Sequence, residues 1–356
     1  MLYQLCKKNL VAVVLLPLFV ANFSLASAQK KELVFLNWAE YIDPELVKSF
    51  EKQYNVKLKQ VYFETDDART EILVASKGMG YDVVLASTNS IDSYIKNKWI
   101  DPIEHEKIPN GKYIDPKWLE MRPSIKEYAV PYLWGTVGIA YRKDLVKKNV
   151  ESWKDLLSPE DTLKNKVLMI KDVQDTISIA MKYLKIPVEN SNSVKSEQYK
   201  KIQSLLMAQR PYVKDYSYLV LDKKSSLVTG EIWMAMAYNG DVLTLKEYNP
   251  QIEFVVPSEG TIVFMDYLLV MKHSKEKDLA MKFINYLNEP KNAAKLAEYV
   301  NFATPNKEAR KYLSEDHLQN KIIYPDISKV EKSGIPPKLK PRTRRKFNEI
   351  FSKVLN

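Results

Sequence analysis

Asp266 stands alone in an apolar run, Ile262 to Val270 (IVFMDYLLV), that reads as a β-strand entered through the turn residues Pro257-Ser258-Glu259-Gly260. Alternation along a strand places Ile262, Phe264, Asp266 and Leu268 on one face and Val263, Met265, Tyr267 and Leu269 on the other, so a carboxylate and an aromatic ring are neighbours. An ionised carboxylate is costly to bury unless a cation or hydrogen bonds compensate it. Two sources of compensation fit Asp266: a Lys or Arg of the chain, or a cation from outside. Acids and rings also meet where other strands end, at Trp38 with Glu40, at Asp172 with Asp175, and at Tyr238 with Asp241. The acids alone would suit a calcium site or the paired acids of a glycosidase. Rings between them favour an organic cation, because carboxylates bind its charged groups while aromatic faces cover its carbon. Each residue also has a plainer role open to it: Asp172 and Asp175 can cap the helix that follows, and Trp38, Tyr238 and Phe264 can be core.

The elements that must hold these residues are α/β units. Glu32 to Trp38 (ELVFLNW) is a strand whose exit loop carries Glu40, and Asp43-Pro44 then opens a helix with Leu46, Val47 and Phe50 as its buried stripe. A second strand spans Val56 to Phe63, a helix Ala68 to Ser76, and a third strand Tyr81 to Ala86, which ends in the loop Ser87-Thr88-Asn89-Ser90. Open α/β sheets bind ligands where strand ends run into loops, which nominates Trp38, Glu40, Ser87 and Asn89. The pattern restarts after Tyr128 to Tyr141: strand Lys166 to Ile170, exit loop Asp172 to Asp175, helix Thr176 to Leu184, helix Glu197 to Gln209, and strand Glu231 to Ala237 with the exit loop Tyr238-Asn239-Gly240-Asp241. Helices at Lys277 to Leu287, Ala293 to Tyr299 and Arg344 to Val354 complete the chain. Tyr128 to Tyr141 and the strand of Asp266 are the two passages between halves, so the expected architecture is two discontinuous α/β lobes joined by extended segments: 29–138 with 264–318, and 139–263 with 319–356.

Composition limits the function classes. The chain is 46% hydrophobic and 28% charged, as a globular protein is. Its formal net charge is +10, but Lys and Glu are mixed along helical faces and no basic stripe interleaves with aromatics, so no nucleic-acid partner is expected. Lys7 and Lys8, the apolar segment Leu10 to Phe23, and Ala26-Ser27-Ala28 follow the order of a secretory signal peptide, residues 1–28, cleaved after Ala28. The apolar part falls short of the ~20 residues of a membrane span, so the mature protein is expected in the periplasm without stable membrane insertion. Cys6, the one cysteine, precedes that segment and leaves the mature chain no disulfide or thiolate ligand. His105, His273 and His317 are far apart in polar, exposed settings, with no nucleophile or phosphate loop beside them. No enzymatic activity, metal or cofactor is expected, and the chain is expected to be monomeric.

Taken in order, LNWAEYIDP (Leu36 to Pro44), YDVVLAST (Tyr81 to Thr88), VPYLWGTVGIAY (Val130 to Tyr141), SWKDL (Ser152 to Leu156), NGDV (Asn239 to Val242), VVPSEGTIVFMD (Val255 to Asp266) and ATPN (Ala303 to Asn306) resemble the periplasmic polyamine-binding proteins that feed spermidine/putrescine ABC importers. The resemblance implies a type II Venus flytrap that closes on an extended polyammonium ligand and hands it to a membrane permease with its ATPase. By position it assigns aromatic walls to Trp38, Tyr238 and Phe264, and amine-binding carboxylates to Asp172, Asp175 and Asp266. Glu40, Ser87 and Phe302 also fall at pocket positions. Ala39 stands where relatives carry Thr or Ser, Asn89 where spermidine binders carry Tyr, and Tyr238 and Phe264 where they carry Trp. Phe264, Asp241 and Pro341-Arg342-Thr343-Arg344 resemble the putrescine branch, and Asp172 with Asp175 the spermidine branch. The physical alternatives are a flytrap for a sugar or a cationic amino acid, a glycosidase, and an adhesin that has kept the fold.

Overall fold

The computed structural model describes residues 30–356 except 121, 327, 328, 330 and 331, and omits the side chain of Asn89. The signal peptide expected at 1–28 lies outside the described residues. The strands are β1 (Lys31–Trp38), β2 (Val56–Phe63), β3 (Val83–Ser87), β4 (Val130–Arg142), β5 (Val167–Met169), β6 (Val213–Tyr216), β7 (Met234–Tyr238), β8 (Ile252–Val255) and β9 (Val263–Val270). The longer helices are α1 (Pro44–Tyr54), α2 (Asp66–Ala75), α3 (Thr88–Lys96), α4 (Val173–Tyr183), α5 (Ser196–Gln209), α6 (Asn239–Tyr248), α7 (Lys277–Leu287), α8 (Pro290–Val300) and α9 (Pro341–Leu355). Local chemistry sets their starts. Asp43 caps α1 by accepting from the Glu45 N–H at 2.7 Å, and Thr65 caps α2 by accepting from Ala68 at 3.0 Å.

Strand order is β2-β1-β3-β9-β4-β7-β5-β6, with β8 also pairing β4. The pivot is β4, thirteen residues long. Its first half, Val130 to Thr136, runs antiparallel to β9, and its second half, Val137 to Tyr141, pairs with β7. The ladder with β9 slips between Pro131 and Leu133, as expected where proline has no N–H to donate. Cores follow the same division. One cluster draws on Leu33 through Trp134 and on Val263 through Ile323; another takes Val137 through Met236, Ile262, and the α9 residues Phe347, Ile350, Phe351 and Val354. A third, smaller cluster lies across β7: Met234 and Met236 point into the second core, while Ala235 and Ala237 point into the third. The architecture is therefore a two-lobed α/β flytrap. At the crossing the Thr136 N–H donates to Asn239 Oδ1 at 3.0 Å and the Val137 N–H to the Ile262 carbonyl at 3.2 Å, so side chain and strand both fix the passage.

Three expectations need correction. Helices α3 and α6 begin at Thr88 and Asn239, where exit loops were expected, because no proline interrupts either segment and the helix starts directly from the strand end. Helices α2 and α4 begin earlier than expected, at Asp66 and Val173, which brings Asp66 and Asp175 into first turns. His317 is not exposed: it is 6% accessible, with its ring 5.9 Å from that of Tyr324, and burial lowers its pKa.

Gly138 marks a backbone approach on β4. A β-carbon there would meet the Phe254 ring and the Val255 carbonyl oxygen, the latter at 2.5 Å, and a backbone oxygen cannot swing aside. Gly138→Ala is expected to destabilise the protein by about 1 to 3 kcal/mol, measured as a lower urea midpoint by circular dichroism. An unchanged midpoint would mean that β8 shifts at little cost.

Candidate functional site

Strands β1, β3, β5 and β7 deliver Trp38, Ser87, Asp172 and Tyr238 to one cavity of about 450 Å³. Glu40, Asp175, Asp241, Phe264, Asp266 and Phe302 also line it, so ten of the eleven residues singled out from the sequence come together. The eleventh, Asn89, lies in the first turn of α3, and its side chain is outside the described structure. Tyr41, Asp66 and Tyr218 border the cavity as well and were not anticipated. Tyr41 follows Glu40 directly, and its position beside the loop acid was a usable signal. Tyr218 lies just beyond β6, a strand too short to announce itself, and Asp66 depends on where α2 starts.

The acids come from helix beginnings and from one strand. Asp172 is the N-cap of α4, with Oδ1 accepting from the Asp175 N–H at 2.8 Å, so the capping role is real and coexists with the cavity position. Asp175 and Asp241 lie in the first turns of α4 and α6, where the helix dipole favours negative charge. Asp266, on β9, is 7% accessible and accepts from the Tyr41 hydroxyl at 2.9 Å; Tyr132 in turn donates to the Tyr41 carbonyl at 2.7 Å. The Tyr238 hydroxyl donates to Asp175 Oδ2 at 2.9 Å. Glu40 has φ of 55°, a left-handed conformation costing a non-glycine residue about 1 to 3 kcal/mol, and this turn sets Trp38, Glu40 and Tyr41 along one wall.

No ion pair among the described residues reaches Asp172, Asp175, Asp241 or Asp266, so an internal Lys or Arg partner for Asp266 is not what the fold supplies. Burial pushes Asp241 and Asp266 up to about 7, with the Asp66 charge adding to the effect at Asp266 and the Tyr41 hydrogen bond opposing it. Burial likewise raises Asp172 to about 6, and Asp66 and Asp67 add to it. Asp175 is raised well above the usual carboxylate range by burial and then by the Asp172 charge.

Aromatic rings form a continuous band between these acids. Phe264 meets Tyr238 edge to face at 5.2 Å and Phe302 at 5.5 Å; Phe302 meets Tyr41 at 5.8 Å, and Tyr218 stacks on Tyr238 at 6.5 Å. Gly240 admits the Phe302 ring, which would lie 2.6 Å from any β-carbon there. Among the described residues the cavity wall contains eight carboxylates, those of Glu40, Glu64, Asp66, Asp172, Asp175, Asp241, Glu247 and Asp266, and no Lys, Arg or His. Such a wall can hold an elongated organic cation: charged ends on acids, methylenes on rings.

Residues 45–324 match the family described as bacterial extracellular solute-binding protein. The spermidine/putrescine-binding periplasmic protein of Salmonella typhimurium is 30% identical over 304 residues, which cover 84% of this chain and 85% of that protein. The putrescine-binding periplasmic protein PotF of Escherichia coli is 29% identical over 340 residues, 90% of each. Among solved structures, the spermidine/putrescine ABC transporter substrate-binding protein PotD of Streptococcus pneumoniae superposes with a TM-score of 0.79 at 25% identity, over 92% of this chain and 99% of that one. With a family match over residues 45–324 and a 30% identical relative that covers 84% of it, the chain belongs to the bacterial extracellular solute-binding proteins.

Proposed function

We propose that the protein captures a polyamine, spermidine or putrescine, between its lobes in the periplasm and passes it to the permease and ATPase of an ABC importer. It performs no chemistry on the ligand. The observation that carries this reading is the charge segregation: in a chain of net charge +10, the described residues of the cavity wall include eight carboxylates and no cationic side chain. A cationic amino acid would bring its own carboxylate into that wall, and a sugar would leave the buried acids without a counter-charge. The names of the Salmonella and Escherichia relatives support the same ligand class. Among the described residues no helix is long and apolar enough to cross a membrane. In this reading the carrier meets its permease transiently, as a monomer.

In this reading the lobes are 29–138 with 264–318 and 139–263 with 319–356. Supporting it, the cores change over between Trp134 and Val137 and between Ile262 and Val263, although Ile323, past the boundary at 318, packs in the first core. Trp38, Ser87 and Asp266 then belong to one lobe and Asp172, Asp175 and Tyr218 to the other. A ligand that touches both sets binds the closed arrangement better than the open one, and closure follows from that difference. The eleven residues from Trp38 to Phe302 named from the sequence, Asn89 among them, are the proposed ligand contacts, joined by Tyr41.

Calorimetry with putrescine, spermidine, spermine, arginine and a disaccharide tests the ligand class: heat is expected from the polyamines alone, and none from any polyamine would end the proposal. Asp266→Ala is expected to weaken polyamine binding by about 2 to 5 kcal/mol, because the ligand's ammonium loses its partner in a desolvated site. Unchanged affinity would make Asp266 a structural acid.

The raised acids also set a pH dependence. Asp172, Asp241 and Asp266 bind protons more readily in the fold than at the usual carboxylate value, so ligand-free protein is expected to lose stability as pH rises through about 6 to 7. A polyamine needs these acids ionised, so its thermal stabilisation of the protein should grow over the same interval. Melting curves with and without spermidine between about pH 5 and about pH 8 would show the two trends diverging. Parallel curves would mean that these carboxylates do not face the ligand's charge.

A further inference from the structure

Asp66 is held more rigidly than any acid the sequence singles out. Arg69 Nη1 donates to Asp66 Oδ1 at 2.6 Å, and the Ser87 hydroxyl donates to Oδ2. Arg69 itself is fully buried, with Nε donating to the Tyr94 hydroxyl at 3.1 Å and Nη2 to Ser90 Oγ at 2.8 Å. A guanidinium does not give up its proton in a protein, so this clamp fixes one orientation of the carboxylate. Two hydrogen bonds leave an ionised carboxylate with further acceptor capacity, and the Asp66 side chain is 27% accessible where it lines the cavity.

Its place along the cavity follows from the ladder. Ser87, which holds Asp66, is the cross-strand partner of Asp266 in the β3–β9 pairing. Asp66 therefore stands one hydrogen bond from the neighbour of Asp266. Its charge also bears on Asp172 and Asp175, whereas Asp266 and the Asp172/Asp175 pair are not among each other's perturbing charges. Asp66 thus lies beside the Asp266 end, and its charge also acts on Asp172 and Asp175 at the other.

We propose that Asp66, clamped by Arg69 and Ser87, is a third cation-binding station between the Asp266 end and the Asp172/Asp175 end of the cavity, and that it selects a triamine, with its internal secondary ammonium, over a diamine. The proposal rests on the polyamine reading above. A diamine has charge only at its ends and leaves the open acceptor side of Asp66 unused; a triamine places a charge-assisted hydrogen bond there, beside those from Arg69 and Ser87.

A ligand series on the unaltered protein tests it first. Calorimetry compares spermidine with 1,8-diaminooctane, which has the same number of chain atoms between its terminal nitrogens but a methylene in place of the internal ammonium. The diamine is expected to bind about 10- to 100-fold more weakly, the range of one hydrogen bond to a charged group. The double variant D66N/R69M, which leaves no buried guanidinium without a partner, is then expected to bring the two ligands within about 3-fold of each other. Melting temperature checks that the variant is folded; if it is not, D66N alone serves the same comparison. Equal affinity of the unaltered protein for spermidine and 1,8-diaminooctane would overturn the proposal while leaving polyamine binding intact, as would a folded variant that keeps the full gap. Binding of neither spermidine nor putrescine by the unaltered protein would instead overturn the polyamine reading itself.

Discussion

The site depends on an uncompensated charge. Carboxylates at Asp172, Asp175, Asp241 and Asp266 are taken largely out of water; among the described residues they receive hydroxyls and a helix N–H but no ion pair, and the Arg69 charge offsets only part of the burial at Asp266. A soluble protein ordinarily avoids this arrangement, because each desolvated acid either costs stability or takes up a proton. Here the raised acids show the second response in part. The sequence therefore tolerates a local penalty whose natural relief is a cation from outside, and the ring band from Tyr41 to Tyr218 narrows that cation to one with an apolar length.

Everything around the cavity serves to hold acids and rings at that spacing. Helices that begin straight from strand ends put acids in first turns, where the dipole offsets part of the desolvation. Strand β4 belongs to both cores, and the bond from the Thr136 N–H to Asn239 ties its midpoint to the start of α6, two residues before Asp241. A rigid-body rotation of the lobes would thus work on the backbone next to the site, not at a remote linker.

Much of this was legible in the sequence because it rests on local rules. The acid within IVFMDYLLV is visible through alternation, the Asp43-Pro44 start through capping chemistry, and the two-lobed plan through the restart of the α/β pattern after Tyr141. What escaped depended on contacts distant in the chain. Asp66 becomes a site residue only because α2 starts two residues before Ala68 and because Ser87, twenty-one positions on, reaches back to it. His317 looks polar among Glu315, Asp316 and Gln319, yet the turn carrying it packs one side against the core. Tyr218 follows a four-residue strand whose pattern is too brief to read.

The segregation of charge also has a kinetic side. Lys and Arg outnumber Asp and Glu by ten across the chain, while the charged side chains among the described residues of the cavity wall are all acids, a distribution that would put the negative pole of the field at the cavity. A diffusing polycation is turned away from most of the exterior and drawn to the cavity, which shortens the search and keeps the remaining surface free of adhering cations. Sorting thus begins in solution, at ranges where no side chain has yet touched the ligand, and it fades as ionic strength shortens the reach of the field.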